Sequence, residues 1–287
     1  MKAFEAYLQR LGIIKSSRGG GDEAPYYAAL DILFNTVGQG LKPKVVFIQS
    51  LKNKGAGIPD GGFFTVTQLR KNEDVDWQTG QPPERGAIEV KGTGDDVERI
   101  AGGEQVTKYL KRYGLVLVTN LRDFLLVGQD EHGRAVNLER YTLGADEKSF
   151  WTTVMVSPQR MVTEHGIPFT EYLTRVMLYK APLSSPSDLA WFLASYAKDA
   201  NGRVELAAKV GLPALRNVRT SLESALGLTF EGEKGDHFFR STLVQTLFYG
   251  MFSAWVLWSK KRSPSSDDWF DWKDAGWELQ VPIIRSL

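Results

Sequence analysis

The chain contains no cysteine, which excludes a disulfide scaffold, a thiolate zinc site and a cysteine nucleophile. Histidine is almost as scarce. His132, His165 and His237 are too few and too scattered for a histidine-rich cluster, so any metal is expected to be a hard ion held by carboxylate oxygens. An excess of charge is missing too: 35 Lys plus Arg stand against 34 Asp plus Glu, a formal net charge of +1. That balance rules out a histone-like or polybasic-tail protein but leaves room for a basic groove on one face. No hydrophobic run is long. The most apolar stretch, residues 243–258, contains Gln245 and Ser253 and falls short of the roughly twenty residues of a membrane helix. It is expected to be a buried helix. Nothing apolar follows Met1, Lys2, Ala3, Phe4 and Glu5, so no secretory signal is visible. The expectation is a soluble, cytoplasmic protein with no membrane partner.

What is present is a chain of 287 residues, 43% hydrophobic and 24% charged, sufficient for one large domain or two ordinary ones. Apolar residues recur at helical spacing at Phe4, Tyr7, Leu8 and Leu11, and a second helix is predicted from Ala24 to about Gly38, with Pro25 in its first turn. Residues 45–48 and 61–67 then read as strands, and 87–91 alternates apolar with charged side chains. Helical spacing returns over 95–112, followed by short strands at 115–119 and 124–127. The order gives an α/β domain with one sheet. Residues 130–165 carry mixed signals. Beyond Pro168 the strand vocabulary fades, Ser187 and Asp188 suggest a helix N-cap, and helices are predicted over 189–196, 204–209, 213–226 and 238–260. The expected organisation is an α/β domain over 1–135, a linker over 136–165 and an all-helical domain over 166–287. Its tryptophans, among them Trp191, Trp255 and Trp258, are expected to be packing residues.

The sharpest chemical signal is Asp60, after Ile58 and Pro59, with Glu89, Val90 and Lys91 further on. Side chains alternate along a strand, so Glu89 and Lys91 project from one face while Val90 turns inward. Asp60 opens the neighbouring strand after the glycine-rich approach Gly55, Ala56 and Gly57. If the two strands pair, two carboxylates and an ammonium meet. Such carboxylates repel unless a cation lies between them. Mg²⁺ accepts carboxylate and carbonyl oxygens plus waters, with the Val90 carbonyl placed to contribute. Lys91 can orient or activate water for attack on a phosphodiester.

These residues resemble the PD-(D/E)xK nuclease motif, and Gln105 to Tyr109 on the following helix resembles the QxxxY element of Mrr-like nucleases. Glu23, just before Tyr26 and Tyr27, stands where such nucleases often carry an accessory acid. Over roughly residues 20–130 the chain is similar to the N-terminal cleavage domain of single-polypeptide restriction-modification enzymes (Type IIG and the Type I single-polypeptide group). Residues 238–252 are similar to the helical spacer that precedes the adenine methyltransferase in those enzymes. No methyltransferase signature follows, so the chain is expected to be a fragment or a stand-alone relative.

The resemblance implies a restriction-endonuclease-like mixed sheet flanked by helices, then a helical connector. It also implies Mg²⁺ (with Mn²⁺ as a substitute), double-stranded DNA as substrate, and 5′-phosphate and 3′-hydroxyl ends. Asp60, Glu89 and the Val90 carbonyl are the expected metal ligands. Lys91, Gln105 and Glu23 complete the expected catalytic set, and Gln105, Lys108, Tyr109 and Lys54 are the expected DNA contacts. Residues 1–128 hold 17 basic against 15 acidic residues, enough for phosphate contacts without sequence reading. Expected partners are the methyltransferase and specificity domains of a parent enzyme, and a second copy for cutting both strands. The alternatives are a stand-alone Mrr-type nuclease, a non-catalytic DNA-binding or docking module, and an oligomerising helical scaffold.

Overall fold

Helix α1 (Lys2–Ser17) buries the stripe that its spacing predicts, Phe4, Tyr7, Leu8 and Leu11. A 3-10 turn (Ala24–Tyr26) leads into α2 (Tyr27–Gln39), then β1 (Val45–Gln49) and β2 (Gly61–Thr65). The second strand is shorter than expected because α3 (Val66–Arg70) begins at Val66. Strand β3 (Ala87–Val90) follows. The predicted helix over 95–112 is two helices, α4 (Val97–Ala101) and α5 (Glu104–Tyr113), broken at Gly102 and Gly103. Asp96 caps α4 by accepting hydrogen bonds from the Glu98 and Arg99 amides. Strands β4 (Val116–Thr119), β5 (Asp123–Gln129) and β6 (Ala135–Thr142) complete the sheet. The computed structural model describes residues 2–17, 24–52, 55–70, 81–130, 132–183, 185–261 and 270.

The sheet has six strands in sequence order. Every neighbouring pair is antiparallel except β3 and β4, which run parallel and are joined by the α4–α5 crossover. The fold is α/β, a mixed sheet flanked by helices, with a C-terminal helical region. Leu125 packs beneath α5 with Val106, Tyr109 and Leu110. Its neighbour Phe124 turns to the other face, against Phe169 and Tyr7. Helices on both faces explain why β4 and β5 read as continuous apolar runs.

The segment that resisted placement belongs to this unit. β6 pairs along the whole of β5, and α6 (Glu147–Val156) and α7 (Pro158–Leu178) follow. Asp146 and Ser149 form a reciprocal capping box that starts α6. α7 continues through Pro168 and buries Phe169, Tyr172, Leu173, Val176 and Met177. The Arg175 side chain, 3% exposed, holds Glu139 of β6 through a 2.6 Å hydrogen bond from Nε. The first compact unit therefore runs to residue 182 and the second from 183. This corrects the expected boundaries at 135 and 165, which fall inside β6 and α7.

The second unit contains α8 (Pro186–Lys209), α9 (Pro213–Leu226) and α10 (Gly232–Lys261). Ser185 caps α8, with Pro186 behind it, rather than the predicted pair two positions on. Leu222, Phe230, Phe239 and Leu243 form a small core. The apolar stretch 243–258 is not buried all round as expected. Leu243, Val244 and Ala254 are buried, while Tyr249, Phe252, Trp255 and Leu257 are exposed, as is Trp191 of α8. No helix among the described residues is long and apolar enough to cross a membrane.

One titration follows from the packing of α7. Burial pushes the His165 imidazole below its ordinary 6.5, with Glu164 opposing more weakly, and its Nδ1 lies 3.1 Å from the Tyr141 hydroxyl. The unfolded chain therefore takes up this proton first, and the fold loses stability as the pH falls below 6.5. Melting temperatures of a His165→Gln variant should depend less on pH than those of the parent between pH 6.5 and about 5. Parallel curves would remove His165 as the cause.

Candidate active site

The antiparallel register pairs Gly61 with Ile88, which sets Asp60 opposite Glu89 at the site end of the two strands. Asp60 is locked there by two donors. The Val90 amide donates to its Oδ2 at 2.7 Å, and the Tyr27 hydroxyl, from the first turn of α2, donates to its Oδ1 at 2.8 Å. Tyr27 is itself anchored, its carbonyl accepting from Gln49 Nε2 at 3.1 Å. On β3, Glu89 is 1% exposed. Lys91 lies just past the strand, where its amide donates to the Thr119 carbonyl at 2.8 Å and so extends the parallel ladder. Its Nζ lies 2.7 Å from Glu89 Oε1 and donates to the Val90 carbonyl at 3.1 Å.

α5 closes the site from one side. Gln105 Nε2 donates to the Tyr109 hydroxyl at 2.8 Å and to Glu89 Oε2 at 3.3 Å. Burial pushes the Tyr109 phenol's pKa up, and the Glu89 and Asp60 carboxylates push the same way against the Gln105 hydrogen bond. The phenol therefore stays protonated across the neutral range. Gly57, at φ +105°, lies over this ring: a Cβ there would meet Tyr109 Cε1 at 3.5 Å and would sit on a backbone that side chains rarely adopt.

The turn after Lys91 is tied to α6, which sequence reasoning left unplaced. The Thr93 hydroxyl donates to Glu147 Oε1 at 2.7 Å, Trp151 Nε1 donates to Thr93 Oγ1 at 3.0 Å, and Arg122 Nε donates to the Thr93 carbonyl at 3.1 Å.

No protein family matches the chain, and no curated protein matches it. Among solved structures, a chain in a cryo-EM structure of a DrdV–DNA complex is similar at 18% identity with a TM-score of 0.37. The match covers 54% of this chain and 97% of that one.

The structure brings Asp60, Glu89, Lys91, Gln105 and the Val90 carbonyl together. Tyr109 lies beneath them, fully buried. It orients Gln105, so the expected DNA contact is in this structure a packing and positioning residue. Lys108 stands apart, paired with Glu104 across one helical turn at 2.9 Å on the exposed face of α5. Glu23 and Lys54 lie outside the described residues. Tyr27 was missed as a site residue. Its signal in the sequence, the tyrosine pair following Glu23, marks a helix start but names no partner.

The donor set suits a hard cation. It offers two carboxylates and one main-chain carbonyl, fewer acidic groups than a dedicated cage, and among the described residues no group of three or more His, Asp or Glu could hold a metal ion. Mg²⁺ ordinarily takes one or two carboxylates and completes its shell with water and phosphate oxygens. Lys91 Nζ touches two of these oxygens, Glu89 Oε1 and the Val90 carbonyl, and so supplies the positive charge the acids require.

Tyr27→Phe removes one of the two hydrogen bonds that fix Asp60. Any cleavage activity should fall about tenfold, with the global fold intact. Rates and melting temperatures of the variant check this, and an unchanged rate would show that the Val90 amide suffices.

Proposed function

We propose that the first unit is a Mg²⁺-dependent DNA endonuclease of the PD-(D/E)xK type, working in a restriction-modification or phage-defence enzyme. The observation that carries this reading is the hydrogen bond from the Val90 amide to Asp60, which joins two neighbouring strands from distant parts of the sequence beside the Lys91–Glu89 ion pair of β3 and its end. Asp60, Glu89 and the Val90 carbonyl would hold the cation. When bound, it would neutralise charge on the phosphodiester and acidify water at neutral pH. The chain's own residues do the positioning. Tyr27 and the Val90 amide fix the Asp60 carboxylate, and Gln105 donates to Glu89 Oε2. Lys91 orients the attacking water and stabilises negative charge on the scissile phosphate. The products would be 5′-phosphate and 3′-hydroxyl ends. One such centre cuts one strand, so cleavage of both strands would require a second copy. Base reading and methylation would belong to the other domains of a parent enzyme.

Supercoiled plasmid with Mg²⁺ or Mn²⁺ provides the test. The parent chain is expected to nick it, and Asp60→Ala to nick it about a thousandfold more slowly, since the variant loses a ligand and the strand-to-strand lock together. Nicking by Asp60→Ala at the parental rate, or none by the parent with either ion, would overturn the proposal.

A further inference from the structure

The second unit carries a cavity of about 240 Å³ whose lining includes Leu215, Phe239, Arg216, Arg219, Arg240 and Asp236. Three arginines around one carboxylate is an unusual lining, and the pairing within it is uneven. Arg219 is fully engaged. Its Nη1 donates to Asp236 Oδ1 at 2.6 Å, its Nη2 donates to the Phe230 carbonyl, and its Nε lies 3.5 Å from Glu223 Oε1. Its guanidinium carbon also stands 5.3 Å from the Phe239 ring centroid and 5.8 Å from that of Phe230.

That arrangement takes the acid Arg240 would otherwise use. Asp236 and Arg240 lie four apart on α10, the spacing at which opposite charges pair along a helix, yet Asp236 is turned to Arg219. Glu205, a second carboxylate within electrostatic reach of Arg240, is bonded to Lys209 at 2.9 Å. Arg240 Nε is buried and has no hydrogen-bond partner among the described residues. A buried donor without an acceptor is costly, and most costly on a charged group. Arg216, exposed at the rim, donates from Nη2 to the Gly211 carbonyl at 3.1 Å, and no ion pair holds it among the described residues.

We propose that this pocket is a phosphate-binding site in which Arg240 and Arg216 hold the oxygens of a phosphate group and Arg219, fixed by Asp236, forms the wall. Guanidinium forks match phosphate oxygens two at a time, which favours phosphate over a spherical anion. Water occupies about 30 Å³ in the liquid, so the cavity admits a phosphate with several waters. The phosphate can belong to a DNA backbone or to a small phosphorylated molecule. The first source rests on the nuclease reading of the other unit, and the test omits divalent metal so that binding and cleavage can fail separately.

Binding of a fluorescent duplex and of pyrophosphate would be measured in EDTA for the parent and for the double variant R216Q/R240Q. If the site holds DNA, the variant binds duplex about tenfold more weakly, and its slope of log affinity against log salt falls by about 1. If it holds a small phosphorylated molecule, pyrophosphate binding is lost and duplex binding is unchanged. Equal binding of both ligands by parent and variant overturns the proposal. In the unaltered chain, phenylglyoxal modification of Arg216 and Arg240, mapped by mass spectrometry, should be suppressed by whichever ligand binds. Modification unaffected by either ligand would overturn the proposal even if the variant misfolds.

Discussion

Replacing Lys91 with Met should lower plasmid cleavage about a thousandfold while leaving Mn²⁺ binding intact or tighter. The two effects separate because of where the ammonium lies, 2.7 Å from Glu89 Oε1 and 3.1 Å from the Val90 carbonyl. These are the oxygens proposed to meet the cation, so the ammonium and a metal ion compete for them. Removing the amine frees the ligands and removes the group proposed to orient water. A second consequence concerns stability. Glu89 is 1% exposed, and a buried charge deprived of its partner costs about 3–5 kcal/mol. Metal-free Lys91→Met should therefore melt well below the parent and recover when Mn²⁺ is added. Calorimetric titration with Mn²⁺, nicking rates and melting curves read all three effects. Cleavage at the parental rate, or loss of Mn²⁺ binding, would refute the assignment of Lys91. Asp60→Ala, by contrast, should weaken both binding and cleavage.

A chain ending at residue 135 should not fold, whereas one ending at 182 should. The longer piece keeps every element of the first unit. The shorter one loses β6 and exposes the whole edge of β5, a row of unpaired backbone groups prone to aggregation. It also loses Phe169, Tyr172, Leu173, Val176 and Met177 from the core. Burying each such side chain contributes about 1.5–3 kcal/mol, so together they are worth ~10 kcal/mol. A domain's whole stability is about 5–15 kcal/mol. Urea titration with near-ultraviolet circular dichroism would distinguish the two pieces. A cooperative transition from the 1–135 piece would restore the shorter domain.

These results show which parts of the sequence were readable. β1 to β3 are marked by β-branched and aromatic residues or alternation between glycine and proline breaks, while β4 and β5 announce themselves because both faces are covered, leaving unbroken apolar runs. β6 does not, because it is an edge strand with a half-exposed, polar pattern, Asn137, Glu139 and Arg140 among its residues. Pro168 misled by marking a boundary where α7 simply gives up one rung of its ladder. Asp60, Glu89 and Lys91 were legible from alternation and strand pairing, whereas Gln105 was legible only through its resemblance to the QxxxY element. Tyr27 was not: its partner lies 33 positions away, and a contact at that distance leaves no periodic trace. The exposed side of α10 escaped for a different reason. Apolar composition counts residues without saying which face they occupy.

The lock on Asp60 has an evolutionary consequence. Its Oδ2 is held by the amide of Val90, a group every residue but proline possesses. Position 90 is thus free to drift among aliphatic side chains with its hold on the acid unaltered. Lineages carrying isoleucine or leucine there would keep the same grip, and proline would be purged.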